Sequence, residues 1–334
     1  MSVRSRPVLP WIGVALAAFI GCVGQARADT ALAREALERM VHAMRGTNYT
    51  GVFVYRQGTD TLEAMRIVHR GGNGAERERL YSLTGVAREI VRDGDRVTCI
   101  LPDSNSVMVD RRRTRNPLDS VLPDDLDRIG RHYRLSASGD VRIAGRDARR
   151  IRIEAGDAYR YGYRFWVDGA TGLMLRADLV HGGEVLEQIM FTELELPERI
   201  PEAWLEPRYS GQGYTWYRTP EEQPEKLGFE PTWRPGFVPA GFELRLSERR
   251  SIPVVSDEPV EHQLYSDGLT AISVYVSALD DEEAPFDGLS RMGGLTAVGR
   301  VVGGRQVVVV GEVPARAVIE VAQSLTLEPG AGSP

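Results

Sequence analysis

The chain has 334 residues, 42% hydrophobic and 26% charged, a globular composition that excludes a disordered or fibrous polypeptide and is long enough for two cores. Its formal net charge of −6 excludes a protein built to coat nucleic acid. Lys226 is the only lysine among 41 basic residues, a bias that reads as genome composition and carries no functional weight.

Residues 1–28 read as a secretory signal peptide. Arg4 and Arg6 precede an apolar stretch from Val8 to Val23, and Ala26-Arg27-Ala28 has the small-x-small form of a cleavage site. Removing these 28 residues takes away three arginines and no acid, so the mature chain of 306 residues carries −9. Phe19-Ile20-Gly21-Cys22 is a weaker, lipobox-like alternative that would acylate Cys22. N-terminal sequencing of the exported protein should therefore begin at Asp29, and an acylated Cys22 would overturn that expectation. Cys99 is the one cysteine left after Asp29, so no internal disulfide can form and the cores must hold the fold without staples.

Residues 30–45 predict a helix, with Leu32, Leu37, Met40, Val41 and Met44 on one stripe and Gly46 as its stop. Strand-like runs follow at 49–56, 62–70, 78–83, 88–93, 96–101, 106–110, 133–136, 148–154, 161–168, 173–181 and 185–194, joined by short turn-rich links. Consecutive strands with such links predict an antiparallel meander. A short helix is expected at 120–130.

Proline density then rises: eight of the 19 prolines fall between Pro197 and Pro239, against three between Asp29 and Leu196. The span 201–236 reads as a stiff linker that also holds Trp204, Trp216, Tyr217 and Trp233. Strand-like runs at 242–249, 260–265, 270–277, 295–301 and 306–310 come next, with hairpin turns at 266–268 and 303–304. Pro314 opens a last helix, and 328–334 reads as a tail. The expected fold is α+β: a large N-terminal domain at 29–200 and a small α+β domain at 237–327. Limited proteolysis should give fragments near 29–200 and 235–330, whereas one resistant core spanning both would show that they fold as a unit.

The catalytic search returns no reaction. The five histidines lack close pairing, and no zinc signature, nucleophile elbow, Walker loop or dinucleotide fingerprint occurs. Asp124, Asp125 and Asp127 lack calcium-loop spacing, and Cys99 reads as a thiol within a strand. No enzyme activity, metal or cofactor is expected. A hydrolase would require His69 or His132 in a pocket beside a perturbed carboxylate. A meander with a helix against one face instead leaves a curved apolar surface suited to acyl chains or peptides. Its candidate lining residues are Val52, Val54, Met65, Ile67, Ile100, Val107, Phe165, Val167, Met174 and Phe191, with the choice of strand face left open by parity. Arg111, Arg112, Arg113 and Arg115 form the sharpest basic cluster and are candidates to hold an anionic group.

Several segments resemble the RseB/MucB family: Asn48–Tyr55, Arg88–Arg92, Gly145–Ala148, Arg160–Asp168, Thr171–Leu173, Tyr265–Leu269 and Gly311–Pro314. The match runs in order from about residue 30 to 325. The resemblance implies a periplasmic regulator of an envelope-stress sigma factor. Such a protein binds the periplasmic part of a membrane-spanning anti-sigma factor, shields it from proteolysis, and is released on sensing lipid or lipopolysaccharide. It also implies that the large domain is an open half-barrel of antiparallel strands with helices, like that of LolA and LolB. The long linker and the Arg111–Arg115 cluster depart from the family pattern. The alternative is a periplasmic lipid or lipoprotein carrier of the LolA/LolB type, although a carrier needs only the first domain. Either reading excludes nucleic acid as a partner and leaves self-association open.

Overall fold

The computed structural model describes residues 12–58, 61–72, 76–110, 129, 131–218, 230–252, 256–279 and 284–327, without the side chains of 12–28, 250–252 and 256–258. The Arg111–Arg115 cluster and the expected helix at 120–130 lie outside the described residues, save Ile129.

Helix α1 spans Ile12–Gly46, so the expected cleavage point falls within it. Ala33, Leu37, Met40 and Met44 are its buried face at three- and four-residue steps. Leu32, expected on that stripe, is 44% exposed, because the stripe runs through its neighbour Ala33.

Eleven antiparallel strands follow the helix as two meanders. The first holds β1 (Tyr49–Gln57), β2 (Thr61–Arg70), β3 (Arg77–Ser82), β4 (Glu89–Asp93), β5 (Arg96–Leu101) and β6 (Ser106–Asp110). The second holds β7 (Tyr133–Ile143), β8 (Arg146–Ala155), β9 (Gly162–Asp168), β10 (Met174–His181) and β11 (Glu184–Glu195). Pairing of β1 with β11 zips the meanders into one sheet, and β12 (Thr215–Arg218) adds to β6 in parallel at the edge. β7 and β12 are the outer strands, so the sheet is open, and α1 packs along β7, β8 and β9. One sheet face and α1 together bury a single cluster that includes Leu37, Met40, Phe53, Ile67, Ile151 and Phe165.

After the short helix α2 (Glu202–Leu205) and the two-stranded pair β13 (Trp233–Pro235) with β20 (Leu325–Leu327), a six-stranded antiparallel sheet forms. Its order is β14 (Glu243–Ile252), β15 (Ser256–Ser266), β16 (Ala271–Ala278), β19 (Arg305–Gly311), β18 (Leu295–Val302) and β17 (Gly288–Met292). Strict alternation in β16 buries Ile272, Val274 and Val276 against Val318, Val321 and Ala322 of α3 (Ala315–Gln323).

Four strands escape the sequence pattern. β12, β13 and β20 are three or four residues long, and β17 is fully exposed, so none shows apolar periodicity. β7 runs to Ile143, seven residues past its expected end, because its distal half is polar and solvated on both faces. Both ends of the proline-rich span are pinned by pairing, Thr215–Arg218 to the large sheet and Trp233–Pro235 to the strand after α3. Leu205 packs with Val68 and Ile200, and Trp233 is buried in the small core.

Candidate functional site at the joint between the sheets

The loop between β8 and β9 meets the hairpin between β15 and β16. Asp267 stands at that hairpin, where Oδ1 accepts the N–H groups of Leu269 and Thr270, each at 2.9 Å. Its Oδ2 accepts Arg160 Nε at 2.7 Å and the Tyr133 hydroxyl at 3.0 Å. The Arg160 and Asp267 side chains are both fully buried. Arg160 also donates to Asp157 and to the Ala240 carbonyl, and its guanidinium lies 5.0 Å from the centre of the Phe242 ring. Burial, and after it the Asp267 carboxylate, push the Tyr133 phenol far above the ordinary tyrosine range, so it is a permanent donor. Every polar group of this joint is satisfied, which a buried ion pair requires if it is to be tolerated. Gly241 completes the joint, because a Cβ there would run into the His132 ring.

Beside the joint a cavity of about 370 Å³ opens between the two sheets. Tyr55, Tyr163, Leu179 and Glu187 line it from the large sheet, and Leu295 and Glu312 from the small one. Glu187 Oε2 accepts the Tyr55 hydroxyl at 2.8 Å, and Oε1 accepts the Gly294 N–H at 2.7 Å. Tyr163 donates to Glu312 Oε2 at 3.1 Å. Burial raises both phenols, with Glu187 adding to the effect at Tyr55 and Glu312 at Tyr163. Gly293 and Gly294 permit this approach, since a Cβ would strike Glu187 at the first and Leu179 at the second. Two carboxylates over apolar walls suit an amphipathic or basic side chain of a peptide, and neither a nucleophile nor a proton-transfer pair converges there.

The expected lining residues separate into three groups. Met65, Ile67, Phe165, Val167, Met174 and Phe191 share the face that packs on α1 and are buried in the main core. Val52 and Val54 pair across with Arg66 and Ala64 on the opposite face, while Phe53 and Tyr55 point toward the core. Ile100 and Val107 are also on the outer face, in a separate cluster with Val109 that Tyr214 covers. These four therefore cannot line the concave side, because each is an even number of residues from outward-facing neighbours on its strand.

His69, which a hydrolase would need in a pocket, lies in the core. His69 is buried and stacked on Tyr49 at 4.5 Å, with Nδ1 against the Thr47 carbonyl and Nε2 against Glu76. That hydrogen bond holds the Glu76 carboxyl below its usual range. Among the described residues no group of three or more His, Cys, Asp or Glu could hold a metal, and no helix is long and apolar enough to cross a membrane.

Residues 32–209 match the MucB/RseB N-terminal domain and residues 229–326 the MucB/RseB C-terminal domain. The chain belongs to the MucB/RseB family. It is 32% identical over 303 residues to the sigma factor AlgU regulatory protein MucB of Pseudomonas aeruginosa, covering 88% of this chain and 91% of that one. It is 30% identical over 299 residues to the sigma-E factor regulatory protein RseB of Salmonella typhimurium, covering 86% and 89%. Among solved structures, the Pseudomonas aeruginosa MucA/MucB complex matches with a TM-score of 0.69 at 28% identity, over 89% of this chain and 99% of the other. A structure of MucB in complex with MucA(peri) matches equally well, and one of MucB alone has a TM-score of 0.61. The family is regulatory and not enzymatic. The joint and the cavity draw on segments whose sequence resembles the family: Arg160–Asp168 supplies Arg160 and Tyr163, Tyr265–Leu269 supplies Asp267, and Gly311–Pro314 supplies Glu312. The sequence assigned Arg160, Tyr163, Asp267 and Glu312 no site role. Tyr163, Asp267 and Glu312 each stand beside a glycine, a signal that could have marked them, and Arg160 has none.

Proposed function

We infer that this chain is a periplasmic negative regulator of an envelope-stress sigma factor. It binds the periplasmic region of a membrane anti-sigma factor and shields it from proteolysis. The observation that carries this reading is the match to MucB solved in complex with MucA(peri), which spans both sheets at 28% identity. The cavity beside Glu187 and Glu312 supports it, offering an extended peptide a lined recess between the sheets. Release on lipid or lipopolysaccharide is the regulatory half of the reading. Acyl chains would compete for the apolar face under α1, through Met65, Ile67, Phe165, Val167, Met174 and Phe191. A lipid or lipoprotein carrier is the second reading; the small sheet, which such a carrier does not need, speaks against it.

The test is titration of the mature chain with the periplasmic region of the anti-sigma factor from the same genome, with and without added lipopolysaccharide. A 1:1 complex that slows cleavage of the anti-sigma region, and that dissociates as lipid is added, is expected. No binding in the absence of lipid would refute the regulator, and tight lipid binding without it would favour the carrier. Neutralising the cavity with Glu187→Gln and Glu312→Gln should weaken a basic peptide by about tenfold, the scale of one charge-assisted hydrogen bond.

A further inference from the structure

The outer face of the large sheet, away from α1, carries an arginine cluster that the regulator reading leaves unused. Arg150 and Arg152 project from β8, Arg164 from β9 and Arg176 from β10. Arg152 and Arg164 stand directly opposite each other, and Arg150 and Arg176 flank Trp166 from either side. Like charges placed directly across a strand pair cost stability, so folding alone does not account for the arrangement. Arg176 is committed to the fold: it lies 4.3 Å over the Trp166 ring and forks onto both oxygens of Asp178 at 2.8 Å. Ser138 Oγ accepts from Arg150 Nε at 3.0 Å and from Arg152 Nη2 at 3.3 Å.

The other two guanidiniums keep free donors. Arg152 Nε is buried without a hydrogen-bond acceptor, and its nearest carboxylate, Glu154, is 3.7 Å from Nη1. Asp178 stands opposite Arg164 in the register yet turns both oxygens to Arg176. Among the described residues no carboxylate comes within ion-pair reach of Arg164. Both arginines border a cleft of about 360 Å³ that is also lined by Glu154, His181 and the Gly182–Gly183 turn. A Cβ at either glycine would meet nothing within 4 Å, so the turn backbone is open to a ligand. Arg160 and Asp157 border the same cleft but are already paired with each other.

We propose that this cleft binds a phosphomonoester, held by the free donors of Arg152 and Arg164. A tetrahedral dianion suits two guanidiniums from adjacent strands, because each offers a planar fork, Arg164 has no carboxylate to leave, and Arg152 has only the long 3.7 Å contact to Glu154. The unpaired buried Nε gains an acceptor in the same step. The site lies on the opposite side of the sheet from the apolar face beneath α1, so it stands whether or not the regulator reading does.

Isothermal titration of the mature chain with glycerol 3-phosphate, at constant ionic strength, tests it. Saturable 1:1 binding is expected, with glycerol inert. The Arg164→Gln variant breaks no ion pair and should fold normally, as its thermal transition will report. It should bind about tenfold more weakly, and Arg152→Gln/Arg164→Gln more weakly still. Arg66→Gln, on β2, should bind as the parent does. Phosphatidylcholine vesicles containing phosphatidic acid form the second arm. Vesicle binding that is lost in Arg164→Gln assigns the phosphate to a lipid headgroup, and binding of glycerol 3-phosphate alone assigns it to a soluble ester. Equal affinity in Arg164→Gln and Arg66→Gln, or no binding in either arm, overturns the site.

Discussion

Replacing Asp267 with alanine should destabilise the protein by about 3–5 kcal/mol, the cost of removing the fully buried carboxylate from a buried ion pair and leaving Arg160 with Asp157 alone. Arg160 has nowhere to go: its side chain is fully buried, and Asp157 and Ala240 satisfy its other nitrogens without removing its need for Asp267. The same substitution frees the Leu269 and Thr270 N–H groups and the Tyr133 hydroxyl. Urea unfolding followed by tryptophan fluorescence measures the loss, and limited proteolysis reports whether the two sheets part before either melts. Tyr133→Phe removes one hydrogen bond and should cost about 1 kcal/mol. Arg160→Met/Asp267→Leu should cost less than the two single changes added together, since both fully buried charges are removed at once and only the partly exposed Asp157 loses its partner. A loss under about 1 kcal/mol for Asp267→Ala would mean that water reaches the pair.

Phe165→Ala should cost about 3–5 kcal/mol and Ile67→Ala about 2–5 kcal/mol, because both side chains are fully buried in the cluster under α1. Val52→Ala and Val54→Ala, on the outer face, should fall near the ±0.5 kcal/mol of ordinary surface changes. The same four variants, measured for binding of a fluorescent fatty acid, separate a pocket from a core. Retained stability with lost acyl binding at Phe165 or Ile67 would show that α1 gives way to lipid. Joint loss of stability and binding at every buried position would show a core and nothing more.

Most strands were legible because they carry an alternating or apolar run closed by turn residues, and β5 and β6 fall on the boundaries those runs predict. The two-unit order was legible from the proline-rich span, although the pairing of its ends was not, since three residues such as Trp233–Pro235 hold no period to detect. Arg160, Asp267 and Glu312 were visible only as members of motifs.

The sequence by itself determined the meander of strands, the final helix and the family, for these rest on local periodicity, turn chemistry and contiguous motifs. The tertiary structure alone decided which face of each strand is inside. Period two gives two equivalent faces, and only the burial of Phe53, and not Val52, in the cluster that the sheet forms with α1 breaks the tie. It alone decided the joint as well. Arg160 and Asp267 are 107 residues apart, and a charge pair at that separation leaves no trace in composition or spacing. Their burial is favourable only once both sheets have excluded water from the same point.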